Sequence, residues 1–186
     1  MSKLAVGQLE GLASESYRIT VASGSTFAPV GAILQVVSTT KSDTFSTTST
    51  TTTDVTGLSV TITPKFTSSK ILITGNVCWS QDLASPAYLA AFLIDRNGTS
   101  ISIADAAGSR ARLTFGAQGI WATDGTLFSG INFLDSPNST SALTYKVQCR
   151  AESPRTIWVN RGSEPDGDSS ITGRFVSTIT VMEVAG

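Results

Sequence analysis

The segment Leu143-Thr144-Tyr145-Lys146-Val147-Gln148-Cys149-Arg150 alternates strictly between apolar and polar side chains. Successive side chains of a β-strand point to opposite faces, so this pattern predicts a strand with one buried and one solvated face. The stretch Leu58–Thr63 repeats the pattern, with hydroxyl residues at the polar positions. Half-solvated strands of this kind are typical of antiparallel sheets that cover a hydrophobic core with one face.

Nine further segments have strand patterns, because they are rich in β-branched and aromatic residues and are bounded by turn residues. These segments are Arg18–Val21, Ile33–Ser38, Lys70–Trp79, Tyr88–Arg96, Thr99–Ala104, Leu113–Trp121, Leu127–Leu134, Thr156–Asn160 and Arg174–Val184. Many short strands separated by turns predict an all-β protein, an antiparallel β-sandwich with jelly-roll-like topology. Hairpin connections alone would give an up-and-down meander instead.

Two segments of the predicted sandwich depart from simple alternation. The run Tyr88–Ile94 is apolar on both faces, which predicts a strand covered on both sides, by the second sheet or by another subunit. The hydroxyl run Ser46–Thr53 has the β-propensity of threonine and lies between apolar residues, which favours an exposed edge strand. A flexible loop is the alternative for that run.

The first 30 residues are predicted to form a separate N-terminal arm, and the sandwich domain is expected to span residues 31–186. The apolar residues of the arm alternate only loosely with polar ones; those expected to bind a partner are Leu4, Val6, Leu9, Leu12 and Tyr17. This arm has too little apolar mass for a core of its own. It must therefore dock on the sandwich, pair with its copies in an oligomer, or bind another protein.

The composition excludes several classes of function. The chain of 186 residues contains no histidine, which removes His-based triads, His acid–base catalysis and His metal ligation. Its 13 basic and 14 acidic residues leave a net charge of -1, so no basic field attracts nucleic acid. No segment has the ~18 uninterrupted apolar residues of a membrane span, and no signal-peptide pattern is present. We expect a protein without cofactor or enzymatic activity, made in the cytoplasm.

One acidic cluster and several loops are candidate binding sites. Glu164, Asp166 and Asp168 lie among turn residues, which predicts a solvated hairpin loop; a weak cation site or a receptor-contacting tip is the alternative. Loops on a rigid sandwich commonly carry recognition. The residues that we consider as receptor contacts are Gln81, Asp82, Arg110, Asn138 and Asp166.

The cysteine and tryptophan residues lie inside apolar strand patterns. Cys78 and Cys149 are predicted to be buried free thiols, although a disulfide between neighbouring strands is not decided by the sequence. Trp79, Trp121 and Trp158 are predicted to fill the core or a subunit interface. An exposed tryptophan would instead offer a flat ring for a sugar.

Four stretches resemble structural proteins of tailed bacteriophages, especially marine and cyanobacterial ones: Gly31–Ser46, Thr53–Pro64, Thr67–Ile73 and Ser177–Val184. Such proteins are usually fibre or tail components. The resemblance implies a virion protein, a homotrimer whose N-terminal arm attaches to other virion proteins while its β-domain faces outward. It implies no individual functional residue.

The residues and the resemblance together favour a short tail fibre or fibre tip that attaches the virion to a host-cell glycan or protein. A head decoration or capsid fibre protein is the first alternative. A monomeric carbohydrate-binding module is the second and belongs to a different functional class.

Overall fold

Eleven β-strands and no helix occur in residues 29–82, 88–118, 125–152, 155–162 and 172–186, which are the residues that the computed structural model describes. The strands are β1 (Ile33–Lys41), β2 (Phe45–Thr47), β3 (Thr53–Ile62), β4 (Lys70–Gln81), β5 (Leu89–Arg96), β6 (Thr99–Ile101), β7 (Phe115–Gln118), β8 (Leu127–Asp135), β9 (Leu143–Ala151), β10 (Ile157–Val159) and β11 (Ser177–Val184). Candidate residues outside the described ranges are Leu4, Val6, Leu9, Leu12, Tyr17, Trp121, Glu164, Asp166 and Asp168.

The strands form two antiparallel sheets of four rows each. In the first sheet the rows are ordered β1, β11, β4 and β8, with β2 continuing the β1 row and β10 continuing the β11 row. In the second sheet the order is β3, β9 and β5, and β6 and β7 share the last row. Because the chain crosses between the sheets at most connections, the topology is that of a jelly roll and not a meander.

The core lies between the inner faces of the two sheets, where the apolar positions of the alternating strands meet. Trp79 of β4 packs against Phe92 of β5 with ring centroids 5.0 Å apart, and Phe92 stacks on Phe115 at 4.9 Å. The indole N–H of Trp79 donates a hydrogen bond to the Ser129 hydroxyl at 3.0 Å, so its polar atom is satisfied inside the core. The core position predicted for Trp79 is confirmed.

The doubly apolar strand β5 is covered by its own chain. Its outward side chains Ala91 and Leu93 are buried within the single chain. Ala91 pairs with Gly116, and the Leu113 side chain lies 3.4 Å from the place where a Cβ on Gly116 would stand. The connection that leads into β7 therefore folds over this part of the sheet, and a sister subunit is not needed to explain the apolar pattern.

The predicted edge strand over residues 46–53 is only partly present. Phe45–Thr47 is β2 and lies at the edge of the first sheet, but residues 48–52 form no strand. The Ser49 hydroxyl donates to the carbonyl oxygen of Thr51 at 2.7 Å and accepts from its N–H at 3.2 Å. Local bonds of this kind compete with a strand ladder, which explains why a continuous strand is the wrong prediction here.

Asn160 closes the junction between the split rows of the first sheet. It is fully buried at a φ of 64°, a left-handed conformation that asparagine tolerates better than most residues. Its side-chain N–H₂ donates to the carbonyl oxygens of Lys41 and Asp43 at 2.8 and 2.9 Å. Its side-chain oxygen accepts from the Ser177 hydroxyl at 2.6 Å, and that hydroxyl accepts from the Cys78 N–H. Four strand ends are thereby joined through one amide.

Candidate interaction surface

The outer face of the first sheet has an apolar row that crosses all four strands in register. The row follows from three pairings: Val36 with Met182, Met182 with Leu72, and Leu72 with Leu134. Each of these side chains follows or precedes a core residue by one position, so it points to the opposite face. Directly paired residues on one face lie close enough for their side chains to touch, so the four form a continuous strip.

We call this strip, together with Ile33 and Val184 beside it, the apolar band. It lies at the end of the sandwich where β1 begins and β11 ends, hereafter the terminal end. Ile33, Val36 and Leu134 are 57%, 56% and 47% exposed. Covering half-exposed side chains of this type contributes about 1 kcal/mol each, so the band favours contact with another apolar surface.

Two polar rows bound the apolar band on the side away from the terminal end. In the first of these rows the Ser38 and Thr180 hydroxyls are hydrogen bonded to each other at 2.7 Å. In the second row the Thr178 hydroxyl donates to the Asn76 side-chain oxygen, also at 2.7 Å. Because these groups bind one another, the middle of the face is polar and separates the apolar band from the opposite end of the sheet.

A separate aromatic pair lies beyond the polar rows. Phe128 is 60% exposed on β8, and Phe175 packs edge-on against it with centroids 5.6 Å apart. Phe128 is paired with Cys78, whose thiol is buried and free. Burial raises the pKa of Cys78 to about 11 and that of Cys149 to about 12, so both predicted thiols stay protonated and unreactive.

Glu183 fixes the terminal end of the first sheet from the inner side. The carboxylate is fully buried and accepts hydrogen bonds from the Lys65 N–H and the Ser69 hydroxyl, each at 2.7 Å, and from the Gln35 amide at 2.6 Å. Burial acts to raise the pKa of Glu183, but the hydrogen bonds from Ser69, Gln35 and the backbone outweigh it and leave the pKa below its usual value. The strands that carry the apolar band are therefore held by a charged network.

A second network joins the two sheets at the same end. Asp135, the last residue of β8, is buried and binds the Arg96 guanidinium through both carboxylate oxygens at 2.7 Å. It also accepts a hydrogen bond from the Tyr145 hydroxyl at 2.8 Å. Burial, together with this hydrogen bond, raises the pKa of Tyr145. The edge of the apolar band at β8 is thus braced against the second sheet.

The described receptor-contact candidates do not lie together. Gln81 is buried as the last residue of β4, and Asp82 beside it is exposed, both at the end opposite the termini. Arg110 is exposed in the connection between β6 and β7, along the edge of the second sheet. Asn138 is exposed at a φ of 49° in the turn after β8, at the terminal end. No single surface of the described chain includes all four.

The described residues hold no group of three or more histidine, cysteine, aspartate or glutamate side chains arranged for a metal ion. Within the same ranges, no helix is long and apolar enough to cross a membrane. Trp158 is half-buried, with the Arg161 guanidinium 5.7 Å from its ring centroid. Within the described residues, the apolar band is an exposed surface that crosses all four rows of the first sheet.

No family model and no curated protein matches the chain. Among solved structures it is similar to a mutant VP2 protein of infectious bursal disease virus in derived T=1 particles, with 13% identity and a TM-score of 0.43. It is also similar to the protein in the T13 particle of that virus, with 12% identity and a TM-score of 0.43. A third similar structure is that of the Gx strain, with 13% identity and a TM-score of 0.41. Each match covers 90% of this chain, which spans only 40%, 40% and 46% of the respective viral chains.

Proposed function

We propose that this chain is a virion structural protein, a short tail fibre or fibre tip that acts in host-cell attachment. The observation that carries the proposal is the eight-row jelly roll with an exposed apolar band across the outer face of one sheet. Jelly rolls of two packed sheets are used by viral capsid proteins, lectins and cupins, so the topology alone does not choose among them. The phage-like sequence stretches favour the viral class.

In this proposal the chain acts by binding and not by catalysis. A homotrimer is attached to other virion proteins through residues 1–30, and its loops contact a glycan or protein on the host cell. Several copies on one particle bind weakly but together, which raises the overall affinity through effective concentration. The protein is located in the virion and is assembled in the host cytoplasm.

The carbohydrate-binding module receives less support from the described residues. A sugar platform needs an exposed flat aromatic ring. Trp79 is buried in the core, Trp158 lies beside the Arg161 guanidinium, and Phe128 meets Phe175 edge-on. Of these three rings only Phe128 is more than half exposed, and its phenyl ring is a smaller platform than an indole.

Gold-labelled antibodies against the recombinant chain, applied to purified particles of the virus that encodes it, test the proposal by electron microscopy. Label at the tail or its fibres is the expected result. Label on the head would replace the fibre by a decoration protein, and unlabelled particles that contain no copy of the chain by mass spectrometry would overturn the virion role. Light scattering of the purified chain should give three times 19.4 kDa.

A further inference from the structure

The apolar band needs a covering surface, and the described residues at the start of the domain indicate where that surface comes from. Residues 29–32 form a β-turn in which the Ala32 N–H donates to the Pro29 carbonyl oxygen at 2.9 Å. Gly31 has a φ of 84°, which the third residue of a type II turn requires. Hydrogen bonds of 2.8 Å from the Gly31 N–H to the Ala185 oxygen and from the Ala185 N–H to the Ala32 oxygen fix the turn to the end of β11.

The turn holds Pro29, the first described residue, at the terminal end of the first sheet, because Gly31 and Ala32 are hydrogen bonded to Ala185. Ile33 and Val36, the two most exposed members of the apolar band, lie on β1 directly after this turn. An apolar segment shortly before residue 29 is therefore tethered within reach of the band.

The segment Tyr17-Arg18-Ile19-Thr20-Val21 has the required character. Its apolar residues stand at every second position and would share one face of an extended chain, with Arg18 and Thr20 on the other face. An extended chain rises about 3.3 Å per residue, so Tyr17 to Val21 spans about 13 Å. Three strand spacings of about 4.8 Å separate Val36 from Leu134, which makes the apolar row about 14 Å long. The segment and the row match in length and in chemistry.

We propose that residues Tyr17–Val21 pack across the apolar band of their own chain, with Tyr17, Ile19 and Val21 against it. The intervening residues 22–28 span up to about 25 Å when extended, which is enough to reach the band from the turn. The inference goes beyond the proposed function and does not depend on it, because it concerns a single chain. Of the arm residues expected to bind a partner, Tyr17 is then used within its own chain, and residues 1–16 remain available for attachment to other virion proteins.

Chemical cross-linking tests the proposal in the full-length chain. Ile19→Cys is combined with Leu134→Cys on the apolar band, or with Thr61→Cys on the outer face of the second sheet as the matched control. Leu134 and Thr61 are both exposed, so the substitutions should leave the fold intact, as checked by circular dichroism. The native thiols are buried and do not compete for a short bismaleimide.

The expected result is an intrachain cross-link whose yield is several-fold higher for the Leu134→Cys pair than for the Thr61→Cys pair, identified by mass spectrometry. Equal yields would show that the segment does not select the band, and a cross-link found only between chains would show that a sister copy supplies the cover. Either result overturns the proposal. Failure to label virions, by contrast, would leave the cross-link unchanged and would refute only the proposed function.

A second measurement uses an apolar fluorescent dye that binds exposed hydrophobic surface. Ile19→Ser should increase dye binding several-fold because it weakens the cover over the band. Thr20→Ser, on the opposite face of the same segment, is the matched control and should leave dye binding unchanged. Equal dye binding by the two variants would contradict the packing that we propose.

Discussion

Replacing Glu183 by glutamine tests whether the buried carboxylate stabilises the terminal end of the first sheet. The substitution preserves volume but removes the charge that accepts bonds from the Lys65 N–H, the Ser69 hydroxyl and the Gln35 amide. A hydrogen bond to a charged group contributes about 1 kcal/mol more than one between neutral groups. Three such bonds are weakened, so the free energy of unfolding should fall by about 3 kcal/mol. In Glu183→Gln the side-chain N–H₂ group also faces one of these three hydrogen-bond donors, and this repulsion lowers the free energy of unfolding further.

Urea unfolding followed by tryptophan fluorescence measures this difference, with Asp105→Asn as an exposed control that should change stability by less than about 0.5 kcal/mol. The folded pKa of Glu183 lies below its ordinary value of 4.5, so its contribution is present in full above that value and is lost as the pH falls through the folded pKa. The difference between wild type and Glu183→Gln should therefore shrink only in acid. A loss below about 1 kcal/mol near neutral pH, or a difference that grows in acid, would refute this reasoning.

Three further predictions concern the interior. Asn160→Ala removes three side-chain hydrogen bonds of a buried residue and leaves alanine in a left-handed conformation, so urea unfolding should show a loss of about 4 kcal/mol; a loss under about 1 kcal/mol would contradict the junction described above. Cys78 and Cys149 should not react with a thiol reagent at mildly alkaline pH until the chain is unfolded, when both should react. A fast reaction of the folded protein would show that one of the two thiols is accessible. Gly75→Ala would place a Cβ onto a backbone carbonyl oxygen of the neighbouring strand and should cost more than about 3 kcal/mol in thermal unfolding, whereas Gly130→Ala has open space and should cost less than about 1.

The strands could be predicted from the sequence because alternation and turn residues are local signals. Leu143–Arg150, for example, is found as β9 with one residue added. The order of strands in the sheets could not be predicted in this way. The strands β1 and β11 pair across more than 130 residues, and no local pattern specifies that pairing. Local patterns could therefore favour jelly-roll winding over a meander without specifying the strand order. The hydroxyl run misled for a similar reason, since the bonds between Ser49 and Thr51 depend on the turn in which they form.

The sequence contains a signal for the apolar band, but the signal can be interpreted only once the register of the strands is known. Each strand of the row has an outward apolar residue beside an inward one, where strict alternation would place a polar residue; the outward members are Val36, Leu72, Leu134 and Met182. Taken singly, these departures look like ordinary scatter. The departure from alternation is stronger in β5, but its outward residue Leu93 is already covered within the chain, so β5 does not mark an exposed apolar surface. How many outward apolar residues are exposed depends on connections whose paths the sequence does not reveal.

The amide junction at Asn160 has a consequence for engineering. The two ends of the connection between β10 and β11 are held together: the Phe175 N–H donates to the Asn160 carbonyl oxygen at 3.1 Å, and Arg161 forms a β-bridge with Arg174. Doubling the length of a loop costs only about 0.6 kcal/mol of closure entropy when its ends are already held together. We therefore expect that foreign peptides can be inserted between residues 162 and 172. The sandwich would then serve as a display scaffold whose two sheets stay the same when the inserted peptide is changed.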